Sequence, residues 1–123
     1  MTLLEVLLAL VLLGISLLAV APMFIAAMQV NSAGGKLGSS SALALERMEQ
    51  LRAEPFNNLV IGGSLTSNVA GYSDMSTQDF VVRWKIDPNA VPPNTLLITV
   101  RASPLASAPG PGTDLVVTTL RGN

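Results

Sequence analysis

The 123-residue chain contains no cysteine and no histidine, and its aromatic residues are one tryptophan, one tyrosine and three phenylalanines. Without cysteine, no disulfide can staple the fold and no thiolate can serve as nucleophile or metal ligand. Without histidine, the commonest general base and transition-metal ligand are missing, and no imidazole is present to activate a serine. Gly34-Gly35 lacks the Lys-Ser/Thr ending of a phosphate-cradling loop. The chain therefore reads as a non-enzyme with no catalytic residue, no cofactor and no metal site. Asp74, Asp79 and Asp87 are separated by turn and strand and read as solvated surface acids rather than as a calcium or acid pair. Charge is scarce too: 7 basic against 8 acidic side chains give a net charge of −1. No basic run occurs, so nothing points to a nucleic-acid partner.

Charge is rarest at the N-terminal end. Residues 1–28, MTLLEVLLALVLLGISLLAVAPMFIAAM, hold a single charged side chain, Glu5, and the next is Lys36. A helix over residues 6–28 would be roughly 35 Å long, enough to cross a hydrocarbon core of about 30 Å. Its apolar residues run all the way round, so every face needs lipid or another helix against it. An isolated acid costs on the order of 2.5 kcal/mol or more near a bilayer centre, so Glu5 calls for a partner. Pro22 removes a backbone donor, which costs roughly 3 kcal/mol in a helix interior and kinks it. With Gly14 two turns earlier, the helix is expected to be weakest, and open to a break, between those two residues.

These residues carry a family resemblance. Thr2, Leu3, Leu4, Glu5 and Val6, followed by the apolar run to Pro22, resemble the processed N-terminus of a type IV pilin, with Met1 standing where the family usually has phenylalanine. SSALALERMEQLRAEPF, residues 40–56, is similar to minor pilins of the PilV type and to type II secretion pseudopilins; beyond residue 56 only the layout is alike. The resemblance implies a short leader removed by a prepilin peptidase, with Met1 as the mature, N-methylated residue. It also implies residence in the inner membrane and later assembly, with copies of itself and with other pilins, into an extracellular filament. Thr2, Leu3, Glu5, Gly14 and Pro22 are the residues on which that assembly would rest. A missing leader also resolves a conflict of charge. Lys36, Arg47 and Arg52 all follow the apolar run, a bias that would otherwise leave the remainder of the chain in the cytoplasm. Three readings stay open: a filament subunit, a minor pilin or pseudopilin at a tip or in a periplasmic piston, and a membrane-anchored periplasmic domain that never polymerises. Roles in adhesion, motility and secretion stay equally open.

Residues 29–123 read as one small head. AAMQVNSAGGKLGSSSA, from Ala26, holds three glycines and four serines and reads as a weak helix or a break. Leu37, Ala44, Met48 and Leu51 then form an apolar stripe on a helix that Pro55 ends at about residue 54. Residues 55–78 read as a connecting loop, with Leu59–Ile61 the one candidate strand. Strands are expected at about 79–87, 94–102 and 114–121. In the first, Phe80, Val82, Trp84 and Ile86 alternate with Val81, Arg83 and Lys85. DPNAVPPN reads as a hairpin loop, and SPLASAPGPGT as a surface link. The expected fold is α+β, a long N-terminal helix packed by its C-terminal half on a small antiparallel sheet. Its core is expected to hold Leu37, Met48, Leu51, Phe80, Trp84 and Ile98.

Overall fold

The computed structural model describes residues 2–89, 93–105 and 114–123. Its elements are a helix α1 (Leu3–Ala53), a 3-10 turn (Phe56–Asn58) and five strands: β1 (Gly62–Gly63), β2 (Ser73–Asp74), β3 (Phe80–Asn89), β4 (Thr95–Pro104) and β5 (Leu115–Gly122). The chain divides into two compact units, Met1–Gly34 and Gly35–Asn123. The second unit is an α+β fold in which the last part of α1 packs against an antiparallel sheet of order β1-β3-β4-β5, with β2 pairing the same side of β3 as β1.

Strand register explains the core. Val82 lies opposite Ala102, Trp84 opposite Val100 and Ile86 opposite Ile98, and β4 in turn sets Ala102 opposite Leu115 and Val100 opposite Val117. Because side chains alternate across a sheet, these residues share one face, and α1 covers it with Ser40, Ala44, Met48 and Leu51. Ile98, Val100 and Ala102 are completely buried. Leu37 departs from the expected stripe: it is 40% exposed, and the next inward position is filled by Ser40, which is completely buried. The offsets 40, 44, 48 and 51 keep to one helical face, whereas Leu37 falls a turn too early to reach the sheet. A serine is tolerated there because its hydroxyl donates to the Leu37 carbonyl at 3.0 Å, leaving no unpaired polar atom.

The glycine-serine stretch is helical throughout. Ser39, Ser40 and Ser41 each turn a hydroxyl back onto a carbonyl one turn earlier. A Cβ added at Gly34, Gly35 or Gly38 would meet nothing within 4 Å. At its far end α1 stops because Pro55 cannot continue it; Glu54 makes the last turn with its N–H on the Gln50 carbonyl, and Pro55 opens the 3-10 turn. Phe56 and Leu59 fold back from there against the core.

Residues 55–78 hold more structure than a connecting loop. Gly62 and Gly63 pair with Ile86 and Lys85, and Ser73 and Asp74 pair with Arg83 and Val82. The strand therefore lies one residue beyond Leu59–Ile61. Tyr72 organises the segment. Its hydroxyl donates to the Val60 carbonyl at 2.9 Å, its carbonyl accepts the Trp84 N–H at 3.0 Å, and its ring leans on Trp84 with centroids 6.5 Å apart. The ring needs glycine beneath it. Gly63 has φ +95°, and a Cβ there would stand 2.3 Å from the Trp84 carbonyl oxygen and 2.9 Å from Tyr72 Cδ1. Gly63→Ala is accordingly expected to destabilise the head by about 2–3 kcal/mol, combining backbone strain with overlap. Gly38→Ala, in open helical space, is expected to stabilise by about 0.5–1 kcal/mol. Thermal unfolding of both variants, followed by circular dichroism in the same micelles, should move in opposite directions; equal behaviour would contradict the packing of Tyr72 on Gly63.

The three long strands run close to their expected limits. Pro88 lies inside β3 opposite Leu96, where β1 has already ended, so the missing donor falls on an unpaired stretch of edge. Asn94 takes φ 60° at the turn into β4, a left-handed conformation that asparagine tolerates. Residues 90–92 of the hairpin loop and 106–113 of the SPLASAPGPGT link lie outside the described residues.

Candidate functional site

The first unit is the candidate site, and it is built by one helix. Thr2 stands just before the helix, and its carbonyl accepts the N–H groups of Glu5 at 3.0 Å and Val6 at 3.3 Å. Thr2 is thus the N-cap residue, and Glu5 falls at the third helical position, where the positive end of the helix dipole favours a carboxylate. The Thr-x-x-Glu spacing that marks such a start was present in the sequence and is a capping signal in its own right. Leu3 opens α1. Met1, the expected methylation site, lies outside the described residues.

From Glu5 onward the helix is α-helical through both Gly14 and Pro22, without an interruption. The weak point expected between them is not a break in the isolated chain. Ser16 donates its hydroxyl to the Leu12 carbonyl at 2.8 Å, so the one hydroxyl between the two residues is bonded within the helix. Gly14 has open space around it, and a Cβ there would meet nothing within 4 Å.

All the described side chains up to Ser39 are exposed, among them Leu3, Leu7, Leu8, Val11, Ile15, Leu18, Phe24 and Ile25. The segment is long and apolar enough to cross a membrane. Along one side, Glu5 shares a groove with Val6, Ala9, Leu10 and Leu13, an acid set among aliphatic side chains. The chain between Glu5 and Lys36 holds no basic residue, so the first unit has no side-chain cation to neutralise it. Thr2, Leu3, Glu5, Gly14 and Pro22 therefore lie along one helix rather than converging on a pocket. What the arrangement offers is an exposed apolar surface for packing.

The second unit holds a cleft of about 240 Å³ beside α1, lined by Leu43, Glu46, Arg47, Asp74, Thr77 and Val82 among others. Its charges are already engaged. The Arg47 guanidinium lies over the Trp84 ring, 4.0 Å from its centroid, donates to Gln50 Oε1 at 2.7 Å and reaches Asp74 at 3.7 Å. Sequence reading missed this Arg47–Trp84–Tyr72 cluster, because nothing in local spacing brings residues 47, 72 and 84 together. Asp87 likewise pairs with Lys85 at 3.0 Å. Asp74 and Asp87 therefore each sit with a cation, and Asp74 with a turn donor as well.

Asp74 titrates below the usual carboxylate value of 3.8, chiefly because its Oδ1 accepts the Ser76 backbone N–H at 2.8 Å, with further help from the Ser76 side chain and from Arg47. A carboxyl lowered in the folded state stabilises above its unfolded pKa, and loses that contribution as pH falls through the folded one. Asp74→Asn should therefore be slightly less stable than the parent at neutral pH, with the two melting curves merging once the solution is acidic enough to protonate Asp74 in the fold. A difference that persisted below that pH would show that the carboxylate charge is not the cause.

Compared with models of protein families, with curated proteins and with solved structures, the chain matches none.

Proposed function

We infer that the chain is a structural subunit of a type IV pilus-like filament, held in the inner membrane by residues 1–28 and later packed by the same residues into a filament core. The observation that carries this reading is the pairing of an apolar helix exposed on every side with a second unit that closes its own core. A helix of that kind leaves lipid only if other apolar helices cover it. Covering it would withhold apolar surface from water at about 25 cal/mol per Å². The anchor and the polymerisation element are then one segment used in turn. The placement of Glu5, the lone acid at the head of the run with Thr2 as its cap, supports the resemblance of Thr2-Leu3-Leu4-Glu5-Val6 to a processed pilin start.

The test is to shear fibres from cells producing the protein, image them, and identify their main component by mass, including any methyl group on residue 1. Fibres made chiefly of this chain are expected. A trace amount within fibres built of another subunit would favour the minor-pilin or pseudopilin reading. Retention of the whole chain in the inner membrane, with no fibres, would favour the non-polymerising domain.

A further inference from the structure

Helix α1 carries the signals of two helices. The division between the two compact units falls at Gly34–Gly35, inside a helix that runs on without interruption. Every residue from Asn31 to Ser39 is exposed, and burial begins abruptly at Ser40. A Cβ at Gly34, Gly35 or Gly38 would meet nothing within 4 Å, so no close approach calls for these glycines. Each nonetheless weakens a helix interior by about fivefold relative to alanine. Charge gives no bracing either. Lys36 is the one charged side chain between Glu5 and Glu46, and the residues three and four away from it are Ser32, Ala33, Ser39 and Ser40. Ser39 and Ser41 turn their hydroxyls onto the carbonyls of Gly35 and Gly38 at 3.1 and 2.8 Å, bonds that compete with the helical amides. The order of residues is that of one helix ending and another beginning: a glycine pair for a left-handed C-terminal turn, then a serine to cap the next start.

We propose that Gly34–Gly38 is a joint: α1 opens there reversibly into two helices, the first closed by Gly34–Gly35 and the second capped by Ser39. The continuous helix is the major form and the open one the minor. The neighbours on either side cannot take the opening. An apolar run lying in lipid has to keep its amides bonded within the helix. From Ser40 onward, Ala44, Met48 and Leu51 are held in the core by the sheet. Ser39 is the last exposed position before that core, so its hydroxyl has room to turn from the Gly35 carbonyl to the N–H groups of Ser41 or Ala42, as a cap does. Opened, the five residues reach up to about 17 Å in place of about 8 Å, and the fold of the second unit is left undisturbed. The joint requires only that residues 1–28 lie in a membrane or a micelle. It does not depend on filament assembly.

The full-length protein in micelles tests this without any fibre. Lys36 lies inside the joint, so trypsin reports the open form, and where opening is fast relative to cleavage the rate follows its population. The parent should be cut after Lys36 well before Arg47 on the same helix. Gly34→Ala combined with Gly35→Ala should slow that cut about twentyfold, and should slow amide exchange at residues 35–39 by the same factor while leaving residues 44–52 unchanged. Trp84 fluorescence reports that each variant is folded, and each cleavage rate is referred to that of the same variant unfolded in urea. Ser39→Ala supplies the sign. It should slow both cutting and exchange about fivefold, because it removes the cap of the open form, whereas a hydroxyl that chiefly holds the continuous helix together would speed both when lost. Cutting after Lys36 no faster than after Arg47, an unchanged rate in the double alanine variant, a faster one in Ser39→Ala, or exchange that slows equally at residues 44–52 would each overturn the proposal.

Discussion

For a filament subunit of the kind proposed, Glu5→Ala is expected to insert in the membrane and be processed as the parent would be, yet to enter filaments at a level reduced by well over about tenfold. Two effects compete to explain any loss at this position, and their sizes differ. As an acid in the first turn, Glu5 stabilises the helix by about 0.3–1 kcal/mol, so losing that alone would change an equilibrium by no more than about fivefold. As the partner of a cation in an apolar bundle it is worth more, since unit charges about 4 Å apart attract by about 4 kcal/mol at an effective dielectric of about 20. With residue 1 as the mature N-terminus, as the proposed function has it, the cation at that depth would be the N-terminal amine, since no lysine or arginine occurs between Glu5 and Lys36. The amine of a neighbouring subunit, displaced by about one turn, would meet Glu5 and set the axial register of each incoming chain. Glu5→Asp should be partly competent and Glu5→Gln should not, although the latter keeps the shape. Wild-type incorporation of Glu5→Ala, in cells that make no wild-type chain, would remove the amine pairing from the account.

The second large effect is expected at Trp84. Its side chain is 5% exposed in the centre of β3, with Arg47 over its ring and Tyr72 tilted against it, and it faces Val100 across the sheet. Truncation of a buried aromatic residue costs about 3–5 kcal/mol. A head of this size has about 5–15 kcal/mol in all and no disulfide in reserve, so Trp84→Ala should lower Tm by about 15 °C or more. Trp84→Phe should recover a good part of that loss, because a ring would still lie between the strand and Arg47. Circular dichroism of both variants checks the prediction, and a Trp84→Ala melt within a few degrees of the parent would mean that the ring lies at the margin of the core.

Legibility from sequence varied along the chain for physical reasons. β3 could be read because Phe80, Val82, Trp84 and Ile86 alternate with Arg83 and Lys85, and a half-buried strand imposes that period. The helical stripe at Ala44, Met48 and Leu51 could be read for the same reason. It failed at its upper end, where hydrophobicity pointed to Leu37 and geometry selected Ser40, whose hydroxyl is satisfied inside the helix. β1 and β2 could not be read, since two residues carry no period and glycines carry no side-chain signal. Their positions depend on Tyr72 lying across Gly62 and Gly63, a contact between residues about ten apart that no local rule supplies. For Thr2, Leu3, Glu5, Gly14 and Pro22 nearly everything legible came from the sequence, because a helix whose side chains are all exposed adds only the N-cap at Thr2 and continuity through Pro22.

The order in which the core is supplied has a bearing on how the protein is made. The helical face at Ala44, Met48 and Leu51 is covered by β3 and β4, and their paired positions, Ile86 with Ile98 and Trp84 with Val100, are synthesised well after the helix. About fifty residues separate Leu51 from Val100, so at about 5–20 residues per second the helix waits for some 3–10 s before its covering hairpin exists. Throughout that interval Met48 and Leu51 stand open on a chain that already carries an apolar run long enough to cross a membrane. The opposite side of the same turns carries two surface pairs, Gln50 with Glu46 and Arg52 with Glu49. That charged strip keeps the waiting helix solvated on one flank, so the nascent chain has a physical means of holding its two apolar segments to different fates until the sheet arrives.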